Sequence, residues 1–312
     1  MKALSKRLVH HAHALANEIR ASAVVVYADA IQGDQELQKL LLTVDFPTIL
    51  FSRSDGKPRP EGNETTTMIT VPGAHTTRTG QARLALLVCL ARGILRPGDR
   101  VVCLTGPDGS NRLDTALVLD LDTESELFAS VGDLELNGDF SGEVFERVLW
   151  IATRLAAEGR EGRPIGSIFV LGDSERVLSQ SRHLVLNPFH GHEEGARNIL
   201  SPSLEETIKE FASIDGAFVV RGDGVVLAAG VQLQPKWTGR PLDLPSGLGT
   251  RHAAAATITA STSAVSFAVS QSTGATTIFK AGRILTEMQR AIARRIRAPR
   301  PPKKRRSPPH VE

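Results

Sequence analysis

Two short stretches of this chain hold residue types that could do chemistry together. The first opens Asp215-Gly216-Ala217, continues through Phe218-Val219-Val220 and enters the turn Arg221-Gly222-Asp223-Gly224. The second reads Gly249-Thr250-Arg251-His252 and precedes an Ala-rich run. An Asp beside a glycine is either a turn or strand-start residue or a carboxylate presented beside a backbone bare enough for a ligand to approach. At the second stretch, free N–H groups, a helix dipole, a hydroxyl and a guanidinium would converge on one point, which suits a phosphate.

The elements that must position these groups are legible around them. β-Branched runs on either side of Arg221 to Gly224 predict a β-hairpin, with Asp215 at the lip of its first strand. The Ala-rich run from Ala253 predicts a helix entered through Gly249. An apolar strand, Ala264 to Val269, and a turn, Ser270-Gln271-Ser272-Thr273-Gly274, come next. Upstream, Phe145 to Ala157 carries a helical stripe and Ile168 to Leu171 a buried strand. Gly172-Asp173 stands at the C-terminal edge of that strand, where α/β folds place ligands; a strand-ending turn explains it equally well. Leu204 to Ala212 reads as an amphipathic helix delivering the chain to Asp215.

Asp215-Gly216-Ala217 followed by Gly249-Thr250-Arg251-His252 resembles the signature of the diadenylate cyclase family. Gly166-Ser167-Ile168-Phe169-Val170-Leu171-Gly172-Asp173 and Asn187-Pro188-Phe189 extend the likeness over roughly residues 140 to 286. The resemblance implies condensation of two ATP into cyclic di-AMP and two pyrophosphates, with Mg²⁺ or Mn²⁺. It implies Asp215, Arg251 and His252 as catalytic residues and Asp215 and Gln271 as metal ligands. It places Leu171, Gly172 and Asp173 beside the adenine, Gly216 and Ala217 where ribose and phosphates need room, and Gly249, Thr250, Arg251 and His252 around the triphosphate. A homo-oligomer with face-to-face cyclase domains follows, because each chain supplies half of a reactive centre. Two positions depart from the family pattern. Ala253 stands where Arg is usual, so helix N–H groups or Arg221 would have to replace that cation. Gln271 follows Ser270 where Glu is usual, which weakens a metal site. A nucleotide-binding sensor of ATP or cyclic di-AMP without turnover is therefore the competing expectation.

The first half alternates helices with continuous apolar strands and predicts a largely parallel α/β sheet. Helix is expected over residues 4 to 20, 34 to 41 and 80 to 93. Strands are expected at 23 to 28, 47 to 51, 68 to 71, 100 to 106 and 116 to 121, with an exposed loop from Arg53 to Thr67. This half is similar to the small α/β domain at the C-terminus of pyruvate kinase, which some diadenylate cyclases carry ahead of the cyclase. The expected fold is thus α/β, an N-terminal largely parallel sheet domain (1–135, structural or regulatory) followed by a mixed-sheet cyclase domain (136–286), with a seam near Ser130 to Ser141. His10, His11 and His13 have no carboxylate or Cys at ligand spacing and read as a solvated helix face. Thr105 to Asn111 lacks the Lys and spacing of a phosphate loop and reads as a plain loop.

At 312 residues, with 41% hydrophobic and 23% charged content, the chain has the composition of a globular protein of about two domains. Cys89 and Cys103 match no metal or redox spacing and read as buried thiols in a reducing compartment. Neither a signal peptide nor a membrane span is apparent, so the cytoplasm is expected. Net charge is unevenly spread. Nine Lys or Arg and one Glu make residues 290–312 +8, leaving −5 of the total +3 for the rest. That tail, within a segment 287–312, is expected to be disordered and could make weak contact with nucleic acid or an anionic surface.

Overall fold

The computed structural model describes residues 2–31, 34–54, 65–72, 77–107, 110, 112–121, 139–161, 163–236, 239, 242, 244–245 and 247–288. In the first half, helix α1 (Lys2–Glu18) leads to strand β1 (Ala23–Tyr27), then α2 (Gln35–Thr43), β2 (Thr48–Ser54), β3 (Thr66–Pro72), α3 (Arg78–Ala91), β4 (Arg100–Thr105) and β5 (Thr115–Asp120). The sheet order is β3-β2-β1-β4-β5. The first four strands are parallel and β5 is antiparallel to β4. β1 is buried at every position, as an apolar run covered on both faces should be. Strands β2 and β3 each take residues from the expected loop at 53–67; positions 55–64 lie outside the described residues.

The second half contains α4 (Gly142–Glu158), β6 (Ser167–Leu171), α5 (Ser174–Ser179), β7 (Ser181–His183), α6 (Leu204–Phe211), β8 (Ala217–Val220), β9 (Val226–Leu233), α7 (Thr250–Ser261), β10 (Val265–Val269), β11 (Thr276–Lys280) and β12 (Arg283–Met288). They form a seven-stranded mixed sheet, ordered β12-β11-β10-β6-β8-β9-β7. Only β6 and β8 run parallel. Alternation along β6 sends Phe169 and Leu171 into the core shared with α4, and Ile168 and Val170 into the core under α7. The fold is α/β with two sheets. β12 ends at Met288, which is 2% exposed, so the folded chain runs past position 286. The expected seam is described only from Asp139, and the basic tail, residues 290–312, lies outside the described residues.

Between the sheets, Asp139-Phe140-Ser141 closes over the second one. Ser141 N–H donates to the Gly222 carbonyl at 3.0 Å, and a Cβ on Gly222 would lie 1.5 Å from the Asp139 oxygen. The Phe140 ring covers Gly172 and stacks on Phe145 at 6.0 Å. One apolar cluster runs from α1 and β1 through α3 and α4 to β6 and β10.

Two cysteines and one histidine complete the account of the first half. Cys89 and Cys103 are buried and free, and burial pushes the Cys89 thiol up to about 12. His13 corrects the solvated-face reading. It is 7% exposed, its Nδ1 donates to the Val9 carbonyl at 2.9 Å, and its ring meets Phe46 edge-on. His10 and His11 remain exposed.

Candidate functional site

Parallel pairing of β6 and β8 builds the site's edge. Ile168 lies opposite Ala217, so the residues just before each strand, Gly166 and Asp215-Gly216, emerge side by side. Helix α7 starts at the same edge. Gly249 is its N-cap, with φ −76° and ψ 175° and no side-chain cap bond. The His252 and Ala253 N–H groups turn back to the Gly249 carbonyl, and those of Thr250 and Arg251 meet no acceptor among the described residues. The two distant stretches therefore meet. Arg251 Nη2 donates to Asp215 Oδ1 at 3.0 Å across 36 residues of chain. The side chains are 35% and 78% exposed, so solvent screens the pair and it opens easily.

Glycines at this edge have distinct reasons. A Cβ on Gly166 would lie 2.7 Å from Arg251 Nη1 and 3.1 Å from Gln271 Cβ, so the guanidinium rests on bare backbone. Gly216 has φ +115°, and a Cβ there would fall 2.7 Å from the Val231 nitrogen of β9. Its bareness admits the neighbouring strand, and Ala217, 1% exposed, belongs to the core. Gly216 lines an open cleft beside Asp215, whereas Ala217 supports the site from behind.

Arg251 is common to three clefts. One, of about 260 Å³, has Ile168, Leu184, Val231, Leu233 and Ala254 as apolar wall, with Arg182, Gln232, Asp215 and Thr250 at its polar points. A second, of about 430 Å³, lies between the Arg160–Gly166 turn, Asp215, Arg251 and Gln271. The third, of about 270 Å³, is bounded by Gly249 to His252 and Val269 to Ser272. His252 is 7% exposed, with its ring 6.1 Å from Phe279. Burial lowers its pKa, partly opposed by Glu287, so it is neutral at pH 7.

Some expected site residues are not brought to this edge. Leu171 lies opposite Val220, so Gly172 and Asp173 leave β6 at the far end of the parallel pair from Asp215. Both have positive φ, and Asp173 Oδ2 accepts the Ser263 N–H at 2.8 Å, which makes this corner a strand-ending turn. Arg221 is also distant from Arg251, at the hairpin turn, gripped by Glu194 and Asp223; it does not replace the cation missing at Ala253. Asn187 donates to the Leu227 carbonyl, and Phe189 packs on Phe211 and Phe218. Sequence reasoning missed Arg182, which donates to Gln232 Oε1 at 2.6 Å, and it missed Arg160 and Arg163. The two arginines of the polar run Arg160-Glu161-Gly162-Arg163 were the available signal.

Among the described residues no group of three or more His, Cys, Asp or Glu could hold a metal ion. Asp215 and Gln271 line one cleft and offer a carboxylate and an amide oxygen. Such a sparse set fits a cation that takes its other oxygens from substrate phosphates and water. No helix among the described residues is long and apolar enough to cross a membrane.

Residues 154–284 match the family described as DisA bacterial checkpoint controller nucleotide-binding, DAC. A diadenylate cyclase of Methanocaldococcus jannaschii is 36% identical over 195 residues, 62% of this chain and 61% of that protein. One from Haloferax volcanii is 29% identical over 245 residues, 78% of this chain and 86% of its own length. Residues 154–284 thus belong to the diadenylate cyclase domain family. The chain's alignment to the first relative spans less than two thirds of that protein. Residues 4–128 match the family described as Probable sensor domain DacZ_P. DacA from Staphylococcus aureus, a solved structure, is 21% identical with a TM-score of 0.30, covering 46% of this chain and 84% of its own. At that score the match is too loose to fix the fold, which the strand pairings themselves establish.

Proposed function

We propose that the chain condenses two ATP into cyclic di-AMP and two pyrophosphates. The single observation that carries this reading is the Asp215–Arg251 contact where three clefts converge, one of them with an aliphatic wall and another rich in charged side chains. An apolar wall suits an adenine, and a carboxylate beside a guanidinium suits the ribose and α-phosphate between base and phosphate chain. In each half-reaction the 3′-oxygen of one ATP bonds to the α-phosphorus of the other, the bond to pyrophosphate breaks, and the hydroxyl proton departs. Such transfers are accelerated by positioning and charge neutralisation.

Asp215 is placed to hold a cation and to take up the hydroxyl proton. Arg251 and the N–H groups opening α7 grip the phosphates, and Thr250 adds a hydroxyl. His252, neutral at pH 7, can donate a hydrogen bond to a phosphate oxygen. A Mg²⁺ or Mn²⁺ ion bound by Asp215 and Gln271 would neutralise charge on the α-phosphate and the leaving group. Each chain offers one such constellation, so two copies must face each other.

Incubating the purified protein with ATP and Mn²⁺ or Mg²⁺ and measuring cyclic di-AMP by mass spectrometry tests the reading. Asp215→Asn is expected to reduce product formation by about 10²-fold or more with an unchanged melting curve. Retention of ATP without any product, across cations and pH, would make the protein a nucleotide-binding sensor, the outcome to which Ala253 and Gln271 point.

A further inference from the structure

We propose that the cleft of about 430 Å³ receives the outer phosphates of the nucleotide, beyond those held at the opening of α7, and that Arg163 supplies there the cation that position 253 lacks. The inference rests on the nucleotide reading above and extends it to a residue outside both stretches from which that reading began.

Two of the three clefts share Asp215 as well as Arg251, and their walls differ. The smaller has one wall of aliphatic side chains (Ile168, Leu184, Val231, Leu233 and Ala254), whereas the larger is lined by Arg160, Arg163 and Arg251. A nucleotide with its base among the aliphatic side chains and its sugar at Asp215 points its phosphates toward the arginines. Of those three, Arg160 is committed to Glu210 and Glu206, and Arg251 to Asp215. Arg163 has no ion pair among the described residues, and its side chain lies exposed at the cleft. Glu161 shares the rim, so the cleft is not uniformly basic; what distinguishes Arg163 is that its fork has no carboxylate to leave before it takes an anion.

Its backbone is fixed although its side chain is free. Arg160 N–H donates to the Arg163 carbonyl at 2.9 Å, and Arg163 N–H returns the bond to Arg160 at 2.8 Å. Gly159, at φ +63°, lies so close under this turn that a Cβ would be 2.2 Å from the Arg163 oxygen. Pro164 follows. A guanidinium hung from a pinned turn reaches a phosphate bidentately at low entropic cost.

The experiment is calorimetric titration of the full chain with ATP and, separately, AMP, in EDTA so that no turnover occurs. Arg163→Gln is expected to weaken ATP binding about tenfold or more while leaving AMP within about twofold, because a charge-assisted phosphate contact is lost. Arg163→Lys should recover part of the loss. Unchanged ATP affinity in Arg163→Gln, or equal weakening of ATP and AMP, would overturn the assignment. Failure of the wild-type chain to bind either nucleotide would overturn the underlying nucleotide reading instead, and that is visible before any variant is made.

Discussion

Asp215 and Arg251 hold one another in a contact that the proposed ligands would have to divide between them. A carboxylate on a cation and a guanidinium on a phosphate both gain better partners than each other, since the pair is largely exposed and weakly held. Gly166 sets where the guanidinium waits. Its backbone is not in the left-handed region, so Gly166→Ala is compatible with the strand entry, but the new methyl would meet Arg251 Nη1. Arg251 must swing away, and kcat/KM is expected to fall about tenfold or more with a melting midpoint close to wild type; unchanged kcat/KM would show that this position of the guanidinium is immaterial. In the first sheet, His13 makes a prediction about pH. Burial lowers its pKa, the Val9 carbonyl partly opposes this, and His10 adds to the lowering. Its folded pKa therefore lies below the unfolded value near 6.5, so the unfolded chain takes up a proton that the folded chain refuses. Stability is lost as pH falls below about 6.5. Melting midpoints followed from about pH 7 to 5.5 should decline less steeply in His13→Asn than in wild type; equal slopes would refute the assignment.

At the scale of elements, β7 and the segment after it deserve the next test. Leu184, Val185 and Leu186 are 42%, 41% and 96% exposed, and Leu184 also belongs to the aliphatic wall of the cleft of about 260 Å³. Under the proposed two-copy reaction, apolar side chains left in water beside the site mark where the second copy would sit. Leu186→Asp is expected to yield monomers in light scattering that bind ATP yet make no cyclic di-AMP; dimers with full turnover would move the interface elsewhere. How far the sequence revealed these elements follows from their length and pattern. The hairpin of β8 and β9, the Ala-rich α7 and the apolar runs of β1, β4 and β6 carry their signal locally. β7 is three residues and α5 six, too short for any period to register. β11 and β12 went unrecognised because Thr276, Thr277 and Thr286 are buried polar residues that dilute the apolar pattern. The parallel pairing of β6 with β8 is a tertiary fact. It separates Gly172-Asp173 from Asp215 while bringing Gly166 to Arg251, and neither outcome is written in the residues nearby.

Across the whole molecule, the two sheets are packed as one body of apolar side chains. Helices α3 and α4 meet between them, and Gly142 opens α4 against the end of α3, where a Cβ would fall 2.4 Å from the Ala91 carbonyl oxygen. Arg92 and Glu146 bridge the same junction. Gly142→Val would wedge the helices apart, at a cost of about 1–3 kcal/mol. The expected result is a lower melting midpoint, with far-UV and near-UV signals still lost together in wild type; two separated wild-type transitions would show that the halves unfold independently. The strand-covering segment Asp139-Phe140-Ser141 has a practical corollary for anyone dissecting the chain. A fragment cut to begin at Asp139 keeps the cover over Gly172 and Gly222, while one begun at Gly142 strips both glycines bare. Either cut uncovers the flank of α4 that faces α3. Where the knife falls by three residues decides whether the excised half retains its own closing flap.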